Sequence, residues 1–341
     1  MPTKKDHTQT HDPNVLLQKT EHQSSEIKEW SDIQAILRAA RDRHIQSAQS
    51  EVSRFIRDTE ERYSAEVDRF VDWFLRDKAL SRMLEPILKA TGAYLFWLRW
   101  VSWNVSNLPP VLYENTTDAS ERLALAMLAY SAGRLIDDGL DNHDTFKGHR
   151  ATLLASLRKY VPHLSVGASC AQSSFLGFCI FNYALVRMRG CKQQATASII
   201  SRLFEEMSPG VFAEGIGPRK LSRATYLRII RRKAVYYNMM LYEPLLREVD
   251  RELRAKLLGI LASMDELAQI LNDYADWEAD KRDGQMNAFV LGLYTRDDLP
   301  VEVRLRIRKL WTAVLGLPSS LQDAVAAMIE NLAFDKVVNV V

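Results

Sequence analysis

The sequence of 341 residues predicts an all-α protein. Apolar residues recur at steps of three and four along most of the chain, which is the spacing of one face of a helix. No stretch of any length alternates apolar and polar residues as a strand would, and the sequence contains no internal repeat or low-complexity segment. With helices of ordinary length, a chain of this size would contain about ten to twelve of them.

The N-terminal third predicts a tail followed by outer helices. Residues 1–25 are polar with few apolar anchors and predict a disordered tail. Residues 26–77 are rich in charge at helical spacing and predict two or three exposed or edge-packed helices. Residues 80–104 predict a more apolar helix. Its tryptophans are candidate cavity-wall residues: Trp97, Trp100 and Trp103.

The rest of the chain predicts helices separated by short connections. They are expected at residues 123–141, 169–189, 192–207, 221–246, 251–280, 301–315 and 319–334. Gly and Pro at 208–218 predict a loop between two of these helices. We therefore expect one helical domain over 26–341, with its core at about 80–335.

Composition and charge exclude several classes of function. The formal net charge of +2 predicts no general attraction to nucleic acid or acidic membranes. No apolar run reaches the length of a transmembrane helix. The three cysteines show no metal-type pairing, and the N-terminal residues lack the apolar segment of a secretion signal. These features predict a cytoplasmic protein with reduced thiols, without a nucleic-acid partner or a transmembrane segment.

The first candidate site is a set of three carboxylates at the end of an apolar helix: Asp137, Asp138 and Asp141. Asp137 and Asp141 are four residues apart, so they share a face, one turn apart. Their charges repel each other and also meet the negative end of the helix dipole, so a cation is needed to compensate. Oxygen ligands without a nearby His or Cys cluster suit Mg²⁺ best. The alternative is a solvated helix end, and the motif alone is weak evidence.

A second acidic stripe lies on the helix predicted at 251–280. Asn272, Asp276 and Asp280 follow at steps of four, so three oxygen donors line one side over two turns. A solvated helix would more often alternate opposite charges along such a stripe, whereas here the basic residues come only after it. The alternative is again a solvated surface helix end, so this stripe alone does not establish a metal site.

These motifs resemble those of the class I isoprenoid synthases, the superfamily of trans-prenyl diphosphate synthases and class I terpene cyclases. Residues 137–141 (DDGLD) match its first aspartate-rich motif, and residues 269–276 (QILNDYAD) match its second. Lys233 lies 40 residues before Asp273, where prenyl diphosphate synthases have a lysine that contacts diphosphate. The resemblance covers about residues 80–289. It implies a helical bundle around a central cavity, a prenyl diphosphate substrate and Mg²⁺, typically as three ions.

The resemblance also implies a role for each candidate residue. The metal ligands would be Asp137, Asp138, Asp141, Asn272, Asp276 and Asp280. The catalytic residues, which neutralise the leaving diphosphate with the metal, would be Asp137, Asp138, Lys233 and Arg228. The substrate-binding residues would be Arg231, Arg232, Phe175, Phe178, Asn182, Tyr236 and Tyr237. Arg134 is a further diphosphate ligand or the ion-pair partner of Asp138. Aromatic faces would stabilise a carbocation in a dry cavity, although each aromatic also fits ordinary core packing.

Departures from the prenyl synthase pattern favour a cyclase. The Gly-Lys-x-x-Arg-Pro segment of elongating members is missing, Tyr130 stands where they have a His, and residues 146–148 (FKG) replace Arg-Arg-Gly. The site for a second, homoallylic substrate is therefore eroded, while the site for an allylic diphosphate is kept. The C-terminal Arg-Tyr pair common in microbial cyclases is also missing.

The leading hypothesis is therefore a Mg²⁺-dependent class I terpene cyclase, a lyase of isoprenoid biosynthesis. It would ionise a linear prenyl diphosphate, with farnesyl favoured over geranylgeranyl diphosphate, and form a sesquiterpene with release of diphosphate. The first alternative is a prenyltransferase that condenses an allylic diphosphate with a second substrate. The alternative from another class is a non-catalytic helical partner of a prenyl synthase. The sequence leaves the oligomeric state open, a homodimer included.

Overall fold

The computed structural model describes residues 13–76, 78, 118–140, 172–214 and 220–337. Within these residues the chain forms nine α-helices and no strand, which confirms the predicted all-α class. The helices are α1 (Pro13–Leu75), α2 (Ala119–Leu140), α3 (Gln172–Gly190), α4 (Gln194–Glu214), α5 (Arg223–Ile230), α6 (Tyr236–Leu245), α7 (Arg251–Asp283), α8 (Asp298–Leu315) and α9 (Ser319–Val337). The tryptophan-rich helix predicted at 80–104 lies outside the described residues.

Helix α1 is a single helix of 63 residues, not the two or three helices predicted for residues 26–77. It also includes residues 13–25, which the sequence assigned to a disordered tail. No Gly or Pro interrupts residues 14–75, so nothing in the backbone stops the helix. Pro13 suits the first helical position, because the N–H that it lacks would have no partner there.

Helix α4 continues past the predicted end at residue 207 and includes Pro209. The loop predicted at 208–218 is therefore helical as far as Glu214, and residues 215–219 lie outside the described residues. Ser208 stabilises this turn, because its Oγ donates to the carbonyl of Phe204 at 2.7 Å. Met207 and Val211 are buried on the same turn, so packing retains the helix despite the proline.

The stretch predicted as one helix over 221–246 is three consecutive helical segments. Helix α5 leads into a π-helical segment, Arg231–Val235, and α6 follows directly. A π-helical turn holds more residues than an α-helical turn, so it shifts the faces of α6 relative to those of α5. The sequence carried no signal for this change, since Arg231–Val235 contains no Gly or Pro.

Helix α2 lies at the centre of the described bundle. Every residue from 122 to 133 is buried, so this helix has neighbours on all sides and not only on one face. It packs against α1, α3 and α6. The approach to α3 is close, because a Cβ added to Gly177 would lie 2.6 Å from the carbonyl oxygen of Ala132. No helix among the described residues is long and apolar enough to cross a membrane.

An ion pair fastens α1 to α9, which contributes to the cavity described below. Nη1 of Arg41 lies 2.9 Å from both carboxylate oxygens of Glu330, and Glu330 is buried. A second pair between the same helices, Arg43 with Asp323, is exposed on both sides. The first pair therefore holds a buried charge, whereas the second is a surface contact.

We expect Arg41→Ala to lower the free energy of unfolding by about 1–3 kcal/mol, because it leaves the buried carboxylate of Glu330 without its partner. Arg43→Ala is the matched control and should change stability little, because its pair is solvated. Urea denaturation of both variants measures the difference. Equal effects of the two substitutions would contradict this account.

Candidate active site

A cavity of about 420 Å³ lies between α2, α6 and α7, and side chains from α4 and α9 complete its wall. Asp137 of the first acidic motif and Asn272 of the second both line it. Lys233, which lies between the two motifs in sequence, lines it as well. The structure thus brings together in one cavity a carboxylate, an amide and an ammonium group from three distant parts of the chain.

Asp137 is the buried anion of this cavity, with only 6% of its surface exposed. Its Oδ1 lies 3.3 Å from Nζ of Lys233, and Nη1 of Arg134 donates to its Oδ2 at 3.1 Å. The sequence left Arg134 as a diphosphate ligand or as the partner of Asp138; in the structure it pairs with Asp137, and the side chain of Asp138 lies outside the described residues. Two cations, Lys233 and Arg134, therefore compensate the buried charge of Asp137.

The π-helical segment and one glycine place Lys233 at the cavity. A Cβ added to Gly210 of α4 would lie 2.7 Å from the backbone nitrogen of Lys233 and 2.7 Å from Cβ of Arg232. Only the absence of a side chain at this position allows α4 to pack so closely on the π-helical segment. The position of the lysine therefore depends on backbone packing as well as on its charge partner.

The second motif serves two purposes. Asn272 lines the cavity, whereas Asp273 is buried and is not among the lining residues. Tyr226 donates a short hydrogen bond to Asp273, the N–H of Ala288 donates at 2.7 Å, and Nε2 of Gln269 donates at 2.8 Å. Burial nonetheless raises the pKa of this carboxyl. Asp273 thus anchors the turn that follows α7 and does not face the cavity.

Asp276 and Asp280, predicted as metal ligands, are not among the residues that line the cavity. Asp276 is exposed. Asp280 accepts a hydrogen bond of 2.8 Å from Nδ2 of Asn287, which also donates to the carbonyl of Asp273 at 2.6 Å. This amide holds the end of α7 to the following turn, so of the three predicted donors only Asn272 lines the cavity.

The described residues include only some of the predicted metal ligands. The side chain of Asp138 and the whole of Asp141 lie outside the described residues. Within the described part of the chain, no three His, Cys, Asp or Glu side chains lie close enough together to hold a metal ion. The donors that line the cavity are nonetheless hard oxygens, which suit Mg²⁺. Oδ1 of Asp137 is buried and accepts no hydrogen bond from the described residues.

The three arginines predicted to contact diphosphate do not line this cavity. Arg228 and Arg231 are exposed, and Arg231 donates to Glu266 at 2.9 Å. Arg232 is partly exposed beside Gly210. By their spacing, the three arginines share one face of the helix. That face does not line the cavity, whereas the next residue, Lys233, does.

Of the predicted wall residues, Tyr237 lines the cavity. Its ring packs over Gly133, where an added Cβ would lie 2.6 Å from Cε2. Among the described ones, Phe178, Asn182 and Tyr236 do not line it, because α3 packs on α2 away from the cavity and Tyr236 lies on a different side of α6. Phe178 packs edge-on against Phe204 in the core, and Asn182 is exposed and donates to the carbonyl of Phe178. The side chain of Phe175 lies outside the described residues.

The sequence analysis missed a buried polar network in the same cavity. Tyr130 donates to Oδ1 of Asn238 at 3.1 Å, and Nδ2 of Asn238 donates to Oδ1 of Asp265 at 2.8 Å. All three residues line the cavity. Burial raises the pKa of Asp265 well above its ordinary value. Residue spacing carried a usable signal, because Tyr130 precedes Asp137 by seven residues and therefore shares its face of α2.

Comparison with known proteins identifies the fold. No protein-family profile matches the chain, and no curated protein matches its sequence. It is similar to the solved structure of a geranylgeranyl pyrophosphate synthetase from the archaeon Geoglobus acetivorans, with a TM-score of 0.54 and 14% identity over 83% of this chain and 98% of that one.

Two bacterial structures are similar to the chain at the same level. A polyprenyl synthase from Caulobacter crescentus CB15, complexed with calcium and isoprenyl diphosphate, has a TM-score of 0.51 and 18% identity over 86% of this chain and 98% of that one. A decaprenyl diphosphate synthase from Rhodobacter capsulatus has a TM-score of 0.51 and 14% identity over 88% and 99%. The chain therefore has the fold of the class I isoprenoid synthases, as the motifs predicted.

We expect Gly210→Ala to destabilise the protein by about 1–3 kcal/mol, because the added methyl group would force the backbone at Lys233 to move. The control is Gly259→Ala on α7, where an added Cβ meets nothing within 4 Å. That substitution should stabilise the helix by about 0.5–1 kcal/mol. Urea denaturation measures both, and a neutral or stabilising Gly210→Ala would show that this contact is not tight.

The protonation of Asp265 predicts a pH dependence of stability. The pKa of its carboxyl is raised in the folded chain from an ordinary value of 3.8, so above that pH the unfolded chain releases a proton that the folded chain keeps. The free energy of unfolding should then fall as pH rises, by up to about 1.4 kcal/mol per pH unit, until the folded pKa is passed. Asp265→Asn does not titrate and should gain stability relative to the natural protein with rising pH. A stability difference between the two proteins that stays constant from about pH 4 upward would contradict this.

Proposed function

We propose that this chain ionises an allylic prenyl diphosphate with the help of Mg²⁺ and transfers the prenyl group to a second substrate. The observation that carries the proposal is the meeting of Asp137, Lys233 and Asn272 in one cavity. We call these three residues the outer set. The fold supports the same chemical class, because the similar structures are prenyl diphosphate synthases by name.

The outer set suits the departure of a diphosphate. When the bond between the allylic carbon and the diphosphate oxygen breaks, both electrons leave with the diphosphate, and positive groups must meet its growing charge. Lys233 and Arg134 are the cations at this end of the cavity. Mg²⁺ held by Asp137 and Asn272 would act as a Lewis acid on the leaving group. Asp138 and Asp141 are the further ligands that the motif implies.

The rest of the wall suits a hydrocarbon chain and its cation. Most of the other lining side chains are apolar or aromatic, and they exclude water that would quench a carbocation. They are Met207, Val211, Ala234, Tyr237, Tyr242, Leu261, Met264, Ala268, Met328 and Leu332. The ring of Tyr237 offers a face to a cation, which is worth about 0.5–2 kcal/mol.

Transfer and cyclisation both begin with this ionisation, and different observations favour each. The similar structures favour transfer, which was the alternative in the sequence analysis. The missing Gly-Lys-x-x-Arg-Pro segment and Tyr130 in place of His favour a cyclase, because both positions serve the second substrate in elongating enzymes. We retain terpene cyclisation as the second candidate function.

One incubation separates the candidates. The purified protein is incubated with Mg²⁺ and geranyl, farnesyl or geranylgeranyl diphosphate, with and without isopentenyl diphosphate, and the products are identified by mass spectrometry. A longer diphosphate formed only with the second substrate supports transfer. A hydrocarbon formed without the second substrate supports the cyclase and overturns transfer. If no diphosphate is released from any substrate, the non-catalytic partner becomes the better account.

We expect Asp137→Ala, Lys233→Ala and Asn272→Ala each to reduce diphosphate release by at least about a hundredfold, because each removes a group that holds the leaving diphosphate or its metal. Circular dichroism should remain helical. The controls are Glu278→Ala, an exposed acid on the same helix as Asn272, and Lys256→Ala, an exposed lysine that pairs with Glu252. Activity near that of the natural protein in any of the three variants would remove that residue from the site.

A further inference from the structure

The cavity holds a second polar set, further into the bundle than the outer set. This inner set is Tyr130, Asn238 and Asp265. Tyr130 lies seven residues before Asp137 on α2, and Asp265 lies seven residues before Asn272 on α7. Seven residues of helix span about 10 Å. On both helices the inner residue therefore lies two turns closer to the N-terminus than the outer residue. The hydrogen bonds through Asn238 join the two inner residues at one level.

Asp265 is the unusual member of the inner set. It lines the cavity and is only 7% exposed, and its Oδ2 has no hydrogen-bond partner among the described residues. On the same face of α7, Leu261, Met264 and Ala268 are apolar, whereas Gln269 and Asn272 are polar. Asp265 is nonetheless a buried carboxyl with one oxygen unpaired among the described residues, and such an oxygen needs a partner.

The hydrogen bonding of Asp265 defines what it would bind. Oδ1 accepts the N–H of Asn238, so in the neutral carboxyl the proton is on Oδ2. Burial raises the pKa of this carboxyl well above its ordinary value and so favours the neutral form, and no cation among the described residues forms an ion pair with it. In the neutral form Oδ2 is a hydrogen-bond donor, and its natural partner is an acceptor oxygen such as that of an alcohol, an ether or a ketone.

We propose that Asp265 binds an oxygen atom on the prenyl chain, so that the substrate is a prenyl diphosphate oxygenated towards its far end. The inference rests on the proposed function, since the outer set holds the diphosphate and the chain extends from it towards the inner set. A plain hydrocarbon chain would leave the buried donor of Asp265 without a partner, which corresponds to about a tenfold loss of affinity relative to an oxygenated chain.

Binding of unreactive substrate analogues tests this proposal. The probes are geranyl and farnesyl thiodiphosphate and the terminally hydroxylated derivative of each, titrated with Mg²⁺ into the full-length protein by calorimetry. We expect at least one hydroxylated probe to bind about tenfold more tightly than its parent. Equal affinities within both pairs would overturn the proposal while leaving the proposed function in place. If none of the four probes binds, both this proposal and the proposed function on chains of geranyl or farnesyl length are overturned.

Two substitutions separate recognition from a purely structural role of the network. Asp265→Leu should abolish the preference for the hydroxylated probe, whereas Asp265→Asn should keep most of it, because the amide still donates an N–H. A preference that survives in Asp265→Leu would place the oxygen elsewhere and overturn the proposal. An equal loss of affinity for both members of a pair in Asp265→Asn would indicate that the network only supports packing. If a variant does not fold, the affinities of the hydroxylated and parent probes for the natural protein still test the proposal.

Discussion

The buried ion pair between Asp137 and Lys233 is the contact on which the rest of this structure depends. A carboxylate with 6% exposure is costly without a cation, and Lys233 and Arg134 supply that charge at 3.3 and 3.1 Å. Central α2 provides the carboxylate, and the π-helical segment Arg231–Val235 provides the ammonium. The close packing at Gly210 keeps that segment in place. The position of Lys233 beside Asp137 therefore depends on helix packing, on the π-helical backbone and on the charges of the two side chains.

The second acidic motif shows how one helix end serves two functions. Asn272 faces the cavity, while Asp273 and Asp280 bind the turn after α7 through Ala288 and Asn287. A carboxylate that accepts backbone and side-chain N–H groups is already satisfied and is a poorer candidate for a metal than one that is not. The motif therefore combines a contribution to the cavity with an anchor for the adjacent turn, and the sequence pattern alone does not distinguish the two.

Most of the helices could be predicted from spacing, because strong periodicity and the absence of strand patterns leave few alternatives. The continuity of α1 and the helical turn at Pro209 were missed, because tertiary packing and the lack of interruptions outweighed composition there. The π-helical segment has no sequence signature. Spacing alone separates the face of Arg228, Arg231 and Arg232 from Lys233, but it does not show which of the two sides lines the cavity. Asp265 was read as part of an ordinary helix, although its seven-residue spacing from Asn272 places both on one face.

The central claim is that the two acidic motifs share one metal-and-diphosphate site. Diffraction from crystals grown with Mn²⁺ and inorganic diphosphate tests it directly, because the anomalous signal of manganese locates each ion without reference to the chemistry. The account predicts manganese between Asp137 and Asn272, bridged to a diphosphate that contacts Lys233. Manganese bound only outside this cavity would contradict the account. Manganese at one motif alone, with the diphosphate bound elsewhere, would contradict it as well.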